Sequence, residues 1–270
     1  MALHTNIKSV SLTKSEFVTV SNVSLLAEIL ERADYNTLVV FDVDMVLVHS
    51  KEPAFQMPNL VHHHSLIEEA MADLNLEEKD LLLHYPLIEG EAEILDSDIP
   101  MMILQLQARH IQTIVCTAIL SGSIAPEPDM MAWRIKQLSH LGMDFSITAP
   151  NSIAFQSIQF PTYRGNAPQY QDGVLITNGE HGPVHKGDAL VALLKTMPIQ
   201  PNQIIMIDDR RKNLENINSS LAEISFEGSY TAIEFTAAHY HNSPLVSDVI
   251  FAQSLQRFLS NTKTEMNSFS

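Results

Sequence analysis

Residues 37–50 read TLVVFDVDMVLVHS, an apolar run that ends in two carboxylates one residue apart. Thr37 to Phe41 are mostly β-branched or aromatic, the composition of a strand buried on both faces. Asp42 and Asp44 interrupt the run before Val46, Leu47 and Val48 resume it. In a continuing strand these two carboxylates point the same way. Burying two like charges together is costly unless a cation or a proton shares the site. A polar turn after a strand, where Asp is frequent, is the plainer alternative.

Similar runs recur at TIVCT (113–117), GVLIT (173–177) and QIIMID (203–208). Helix-like stretches separate them, among them NVSLLAEILERA, IPMMILQLQARH, DMMAWRIKQLSHL and KGDALVALLKTM. Short apolar strands alternating with amphipathic helices predict an α/β domain with a parallel sheet between helices. In such sheets sites form at the carboxyl ends of the strands, and Asp42, Thr117 and Asp208 all fall there. The segment from roughly 50 to 95 breaks the rhythm and reads as a helical insertion after the first strand. Residues 149–172 read as a loop or hairpin, and 261–270, NTKTEMNSFS, as a flexible polar tail. The 270 residues are expected to form a single domain with this one insertion.

The net charge of −16 argues against nucleic acid or an anionic membrane surface as the main partner. An acidic chain that handles phosphates needs a local cation to offset its own field. Cys116 is the only cysteine, which excludes an intrachain disulfide and suits a reducing, cytoplasmic setting. The first residues, MALHTNIKSVSLTKSEF, carry no apolar core of a Sec-type signal, and no run of 18 apolar residues predicts a transmembrane helix.

Three further elements join the Asp pair. Thr117 ends an apolar strand, Lys186 opens a helix in GPVHKGDALVALL, and Asp208-Asp209 follow IIMI. The Lys186 ammonium and a positive helix N-terminus both favour an anion. Each element has a bland reading beside this one: a strand-end hydroxyl, a solvated lysine, a helix cap with a first-turn acid. His62, His63 and His64 are expected to be solvated, because neighbouring helical residues face different directions. Cys116 reads as a small buried hydrophobe and Trp133 as core, while Arg210, Arg211 and Lys212 fit either a solvated helix start or a substrate contact.

In order, these elements resemble the haloacid dehalogenase superfamily: D-x-D-x-[TV] after the first strand, Thr or Ser after the second, Lys before a helix, and paired acids after the fourth. Here they read Asp42-Val43-Asp44-Met45-Val46, Thr117, Lys186 and Asp208-Asp209, spaced by 75, 69 and 22 residues. The stretches DGVLITNGEHGPVHKGDAL, IIMIDDRRKNLENI and ISFEGSY are similar to an uncharacterised subfamily common in bacteria living inside host cells. Ile119 stands where that subfamily often has Arg.

The resemblance implies a Rossmann-like core, with the 50–95 insertion as a small helical cap, and a Mg²⁺-dependent phosphatase acting on phosphate monoesters. Asp42 is then the nucleophile that forms an aspartyl-phosphate, and Asp44 the general acid and base. Thr117 and Lys186 would bind the phosphoryl oxygens. Asp42, the Asp44 main-chain carbonyl, Asp208 and Asp209 would hold Mg²⁺, Asp209 directly or through water. A phosphorylated small molecule or a phosphoprotein, phosphotyrosine included, is the implied substrate. A phosphomutase or phosphotransferase, or a non-catalytic binding protein of the same fold, is the alternative. The same resemblance admits delivery into a host cell without a cleavable signal.

Overall fold

The computed structural model describes residues 14–151 and 153–268. Residues 1–13, read above for a signal, lie outside them, as do 269 and 270 of the expected tail. The elements run β1 (Lys14–Val20), α1 (Val23–Leu30), β2 (Thr37–Phe41), β3 (Val48–Ser50), α2 (Met57–His62), α3 (His64–Met71), α4 (Leu76–Glu89), β4 (Ala92–Ile94), α5 (Ile99–Ala108), β5 (Gln112–Thr117), α6 (Met130–His140), β6 (Gln169–Gln171), β7 (Val174–Ile176), α7 (Lys186–Thr196), β8 (Gln203–Asp208), α8 (Arg211–Glu223), β9 (Ser229–Phe235) and α9 (Asp248–Ser268).

Seven strands form one sheet in the order β1-β9-β8-β2-β5-β7-β6, parallel except for the β6–β7 pair. The molecule is thus an α/β protein with a mostly parallel sheet between helices. All five residues of β2 are buried, and its period of two divides them between two cores. Leu38 and Val40 join Leu190, Leu194, Leu214 and Ile217 of α7 and α8. Val39 and Phe41 join Leu26, Ile103 and Phe251 of α1, α5 and α9 on the opposite face. From β2 the chain builds outward through β5 and β7, then returns to add β8 and β9 on the other side. That reversal opens a crevice at the carboxyl ends of β2, β5 and β8.

The insertion leaves the sheet after β2 and returns before α5. β3 and β4 pair antiparallel at its base, Val48 opposite Ile94 and Ser50 opposite Ala92, and α2, α3 and α4 lie between them. Asn75 caps α4 reciprocally with Glu78, each side chain taking the other's backbone N–H.

Several expectations need correction. The strand at 37–41 is second in the chain, because β1 precedes it and pairs with β9 at the sheet edge. The residues from 261 to 268 are the last two turns of α9, not a flexible tail. Phe251, Leu255, Phe258, Thr262 and Glu265 recur at helical spacing and are buried. α9 packs along α4, and the Phe258 ring stands 4.9 Å from that of Phe55. His63 is buried too: its ring stacks on Phe251 at 4.3 Å, while His62 and His64 stay exposed. Two helices, α2 and α3, meet at His63, so the three histidines do not share one helix. Residues 149–172 hold a short 3₁₀ turn and one strand of the β6–β7 hairpin. Among the described residues no helix is long and apolar enough to cross a membrane.

Candidate active site

Asp42 is the first residue beyond β2, and its N–H donates to Ile207 O of β8 at 2.8 Å. The strand does not continue to Asp44. The Val43 carbonyl instead accepts from the N–H groups of Val46, Leu47 and Val48, and Met45 takes a left-handed φ of 64°. A non-glycine residue held there is uncommon and marks a turn imposed by its surroundings. Asp44 therefore reaches the rim through a tight turn, not through strand alternation.

Lys186 is the centre of the charge cluster. Its Nζ donates to Asp208 Oδ2 at 2.7 Å and lies 2.8 Å from Asp42 Oδ2. Gly187, the next residue, sets this placement. A Cβ there would lie 2.4 Å from Ser220 Oγ and 2.9 Å from Asn216 O, so a larger residue would push α7 away from α8. Asp208 ends β8, and its Oδ1 accepts the Arg210 N–H at 2.9 Å and Asn213 Nδ2 at 3.0 Å. Asp42 Oδ1 accepts from Val43 N at 2.8 Å.

Burial pushes the Asp42 carboxyl well above the usual carboxylate range; Lys186 opposes the shift, and Asp208 and Asp209 add to it. Burial and then Asp208 raise Asp209 to about 7. Burial works against the Lys186 ammonium, but Asp208 and Asp42 outweigh it and hold its pKa above the ordinary lysine value. One lysine leaves the surplus of negative charge incompletely neutralised. Oxygens of Asp42, Asp208 and Asp209 all lie within 4.8 Å of one another. Three such carboxylates are a set of hard oxygens that could hold a hard divalent cation.

Asp44 has a partner the sequence did not announce. Arg134 of α6 is wholly buried, and its Nη2 donates to Asp44 Oδ2 at 2.8 Å. Arg134 Nη1 donates to Gln137 Oε1 at 2.6 Å. Asp44 Oδ1 is buried with no hydrogen-bond partner among the described residues. Thr117 ends β5 on the same rim, buried, with Cys116 buried beside it. Arg210 reaches back to Glu180 at 2.6 Å.

Asp42, Asp44, Thr117, Lys186 and Asp209 line one cavity of about 450 Å³; Asp208 is wholly buried behind it, bound to Lys186. The insertion forms its far wall. Two residues of α4 tie that wall to the sheet. Asp80 is wholly buried and accepts the N–H groups of Glu180 and His181, each at 3.2 Å. His84 takes the Leu120 N–H on Nε2 at 2.6 Å, with Nδ1 against Asp80 O at 2.5 Å. The only local signal for Asp80 and His84 was their four-residue spacing in a helical stretch. Asn213 lies in the first turn of α8, and nothing in the sequence around it singles it out.

Residues 19–265 match the family model described as "Protein of unknown function (DUF2608)". The chain belongs to that family. No curated protein and no solved structure matches it. Membership carries no assigned chemistry, so the functional reading rests on the site.

Proposed function

We propose that this chain is a Mg²⁺-dependent phosphatase of the haloacid dehalogenase type that hydrolyses phosphate monoesters, with α2–α4 as its cap. The observation that carries the reading is the Asp42–Lys186–Asp208 cluster at the ends of the central strands, facing a cavity into which Asp44 also projects. Asp42 attacks phosphorus, the bond to the leaving oxygen breaks, and the electron pair departs with that oxygen. Asp44 gives the leaving oxygen its proton. Water then attacks the aspartyl-phosphate, the bond between phosphorus and the Asp42 oxygen breaks, and Asp44 takes the proton of the water. Arg134 holds Asp44 Oδ2 and fixes this carboxylate at the rim of the cavity.

Lys186 and Thr117 bind the phosphoryl oxygens, where transition-state charge spreads. Asp42, Asp208 and Asp209 would hold Mg²⁺, which supplies charge neutralisation at the phosphoryl group. The cap walls the cavity in which Asp42 must reach phosphorus before water does.

The test is phosphate release from a fluorogenic phosphate ester by the purified chain. Release that requires Mg²⁺ and stops with chelator is the expected result. Equal turnover with and without chelator contradicts the metal assignment, and no turnover with Mg²⁺ across phosphate monoesters contradicts the reaction.

A further inference from the structure

The cavity over the rim has two unlike ends. The sheet end carries the carboxylates, Lys186 and Thr117. The far end is walled by Met57, Leu60, Ile67, Met71, Leu83 and Leu87 of α2, α3 and α4. No Asp, Glu, Lys or Arg of the insertion lines it, although the insertion is rich in acids. Glu68, Glu69, Asp73, Glu77 and Glu78 lie outside the lining.

His84, the polar residue deepest in this wall, is not offered to a ligand. Both ring nitrogens of His84 are engaged with backbone groups. His49 is buried, and burial followed by the neighbouring His241 lowers its pKa to about 4, so it is neutral. At the sheet end Arg210 is paired with Glu180. Sugar hydroxyls placed against the six apolar side chains would be desolvated without partners, which opposes their binding there.

A second observation points the same way. α3 has no buried residue, and Ile67 and Met71 on it are only half-covered. Apolar side chains lining a cleft without closing on each other leave surface that a ligand can cover. Methionine suits such a wall, since its flexible thioether packs against many shapes. A cavity of about 450 Å³ is in the range that holds a small molecule.

We infer that the substrate is a small phosphate monoester of an apolar alcohol, its phosphoryl group at Asp42 and its hydrocarbon part in the cavity under α2–α4. This rests on the phosphatase reading above. A sugar phosphate, a nucleotide or a phosphorylated peptide fits the wall less well.

The experiment uses the full chain with Mg²⁺ and n-alkyl phosphates from ethyl to octyl, whose alcohols leave alike, with glycerol phosphate as the polar comparator. Each methylene buried adds ~0.8 kcal/mol, so kcat/KM rises about fourfold per methylene until the cavity is full. Met71→Gln and Leu83→Gln, both at partly exposed positions, flatten that rise. A parallel series of non-hydrolysable alkylphosphonates, read by calorimetry, shows the same step in Kd. Phosphonates that bind with this step while no ester is hydrolysed would sink the phosphatase and leave the ligand class standing. Turnover with no chain-length dependence, or a phosphotyrosyl peptide or glycerol phosphate preferred to octyl phosphate, overturns the inference and leaves the phosphatase standing. Absence of both binding and turnover overturns it as well.

Discussion

Arg134, wholly buried, donates to Asp44 Oδ2 at 2.8 Å, and the side chain of Asp44 keeps a quarter of its surface exposed. The two ends of this pair are therefore unequal. Removing the carboxylate strands a buried guanidinium, whereas removing the guanidinium leaves a carboxylate that water can reach. Asp44→Ala is expected to destabilise the fold by about 3–5 kcal/mol, and Arg134→Met by less. Urea unfolding of both variants and of the double variant checks this; equal losses, or none, contradict it.

The carboxylates on the rim predict a second behaviour. The folded pKa of Asp209 is about 7 against an ordinary 3.8. Between those values the folded chain binds the proton more tightly than the unfolded one, so stability from this group falls as pH rises from about 4 to about 7. Metal-free Asp209→Asn should therefore melt higher than the parent at pH 8. Mg²⁺ at pH 8 should raise the melting temperature of the parent more than that of the variant. A variant that melts lower, with an undiminished response to Mg²⁺, contradicts the cluster as drawn.

His84 gives a slope of the opposite sign. Burial lowers its pKa from 6.5, and its Nε2 accepts the Leu120 N–H, so the folded ring is neutral. Below about pH 6.5 the unfolded chain takes up a proton that the folded chain refuses, and stability falls with falling pH. His84→Phe removes that slope and leaves the Leu120 N–H without its acceptor, a loss of about 1–3 kcal/mol at neutral pH. Melting curves of parent and variant from pH 5 to 8 measure both effects. A variant with the parent's acid sensitivity would place the slope elsewhere.

The run at 37–41 and the helices between the apolar stretches were legible because a parallel sheet demands continuous apolar strands. The motif residues were legible because strand ends, where polar residues interrupt such runs, are few. β1 was not legible: at the sheet edge KSEFVTV alternates weakly and is mostly exposed. Arg134 was hidden for a different reason. A single arginine in an amphipathic helix looks solvated until the partner, 90 residues earlier in the chain, is brought against it. The end of α9 was misread because Asn261, Thr262 and Thr264 are polar, and only the stripe from Phe251 to Glu265 shows which face packs.

That stripe makes α9 part of the wall around the site. Phe258 is wholly buried, and Phe258→Ala should cost about 3–5 kcal/mol. Faster amide exchange should follow in α4, against which α9 packs. Exchange confined to α9 would mean that the insertion stands without it.

Asp42 as nucleophile is the claim on which the rest depends, and mass spectrometry of its peptide tests it most directly. The chain is incubated with Mg²⁺ and 4-nitrophenyl phosphate, whose leaving group needs little protonation, then quenched in acid and digested. Asp44→Asn keeps the nucleophile and lacks the base for the second step, so the peptide containing Asp42 is expected to gain one phosphoryl group and to accumulate in that form. Asp42→Asn is expected to gain none and to release no phosphate. A phosphoryl group on another residue, or phosphate release that survives Asp42→Asn, would contradict the account.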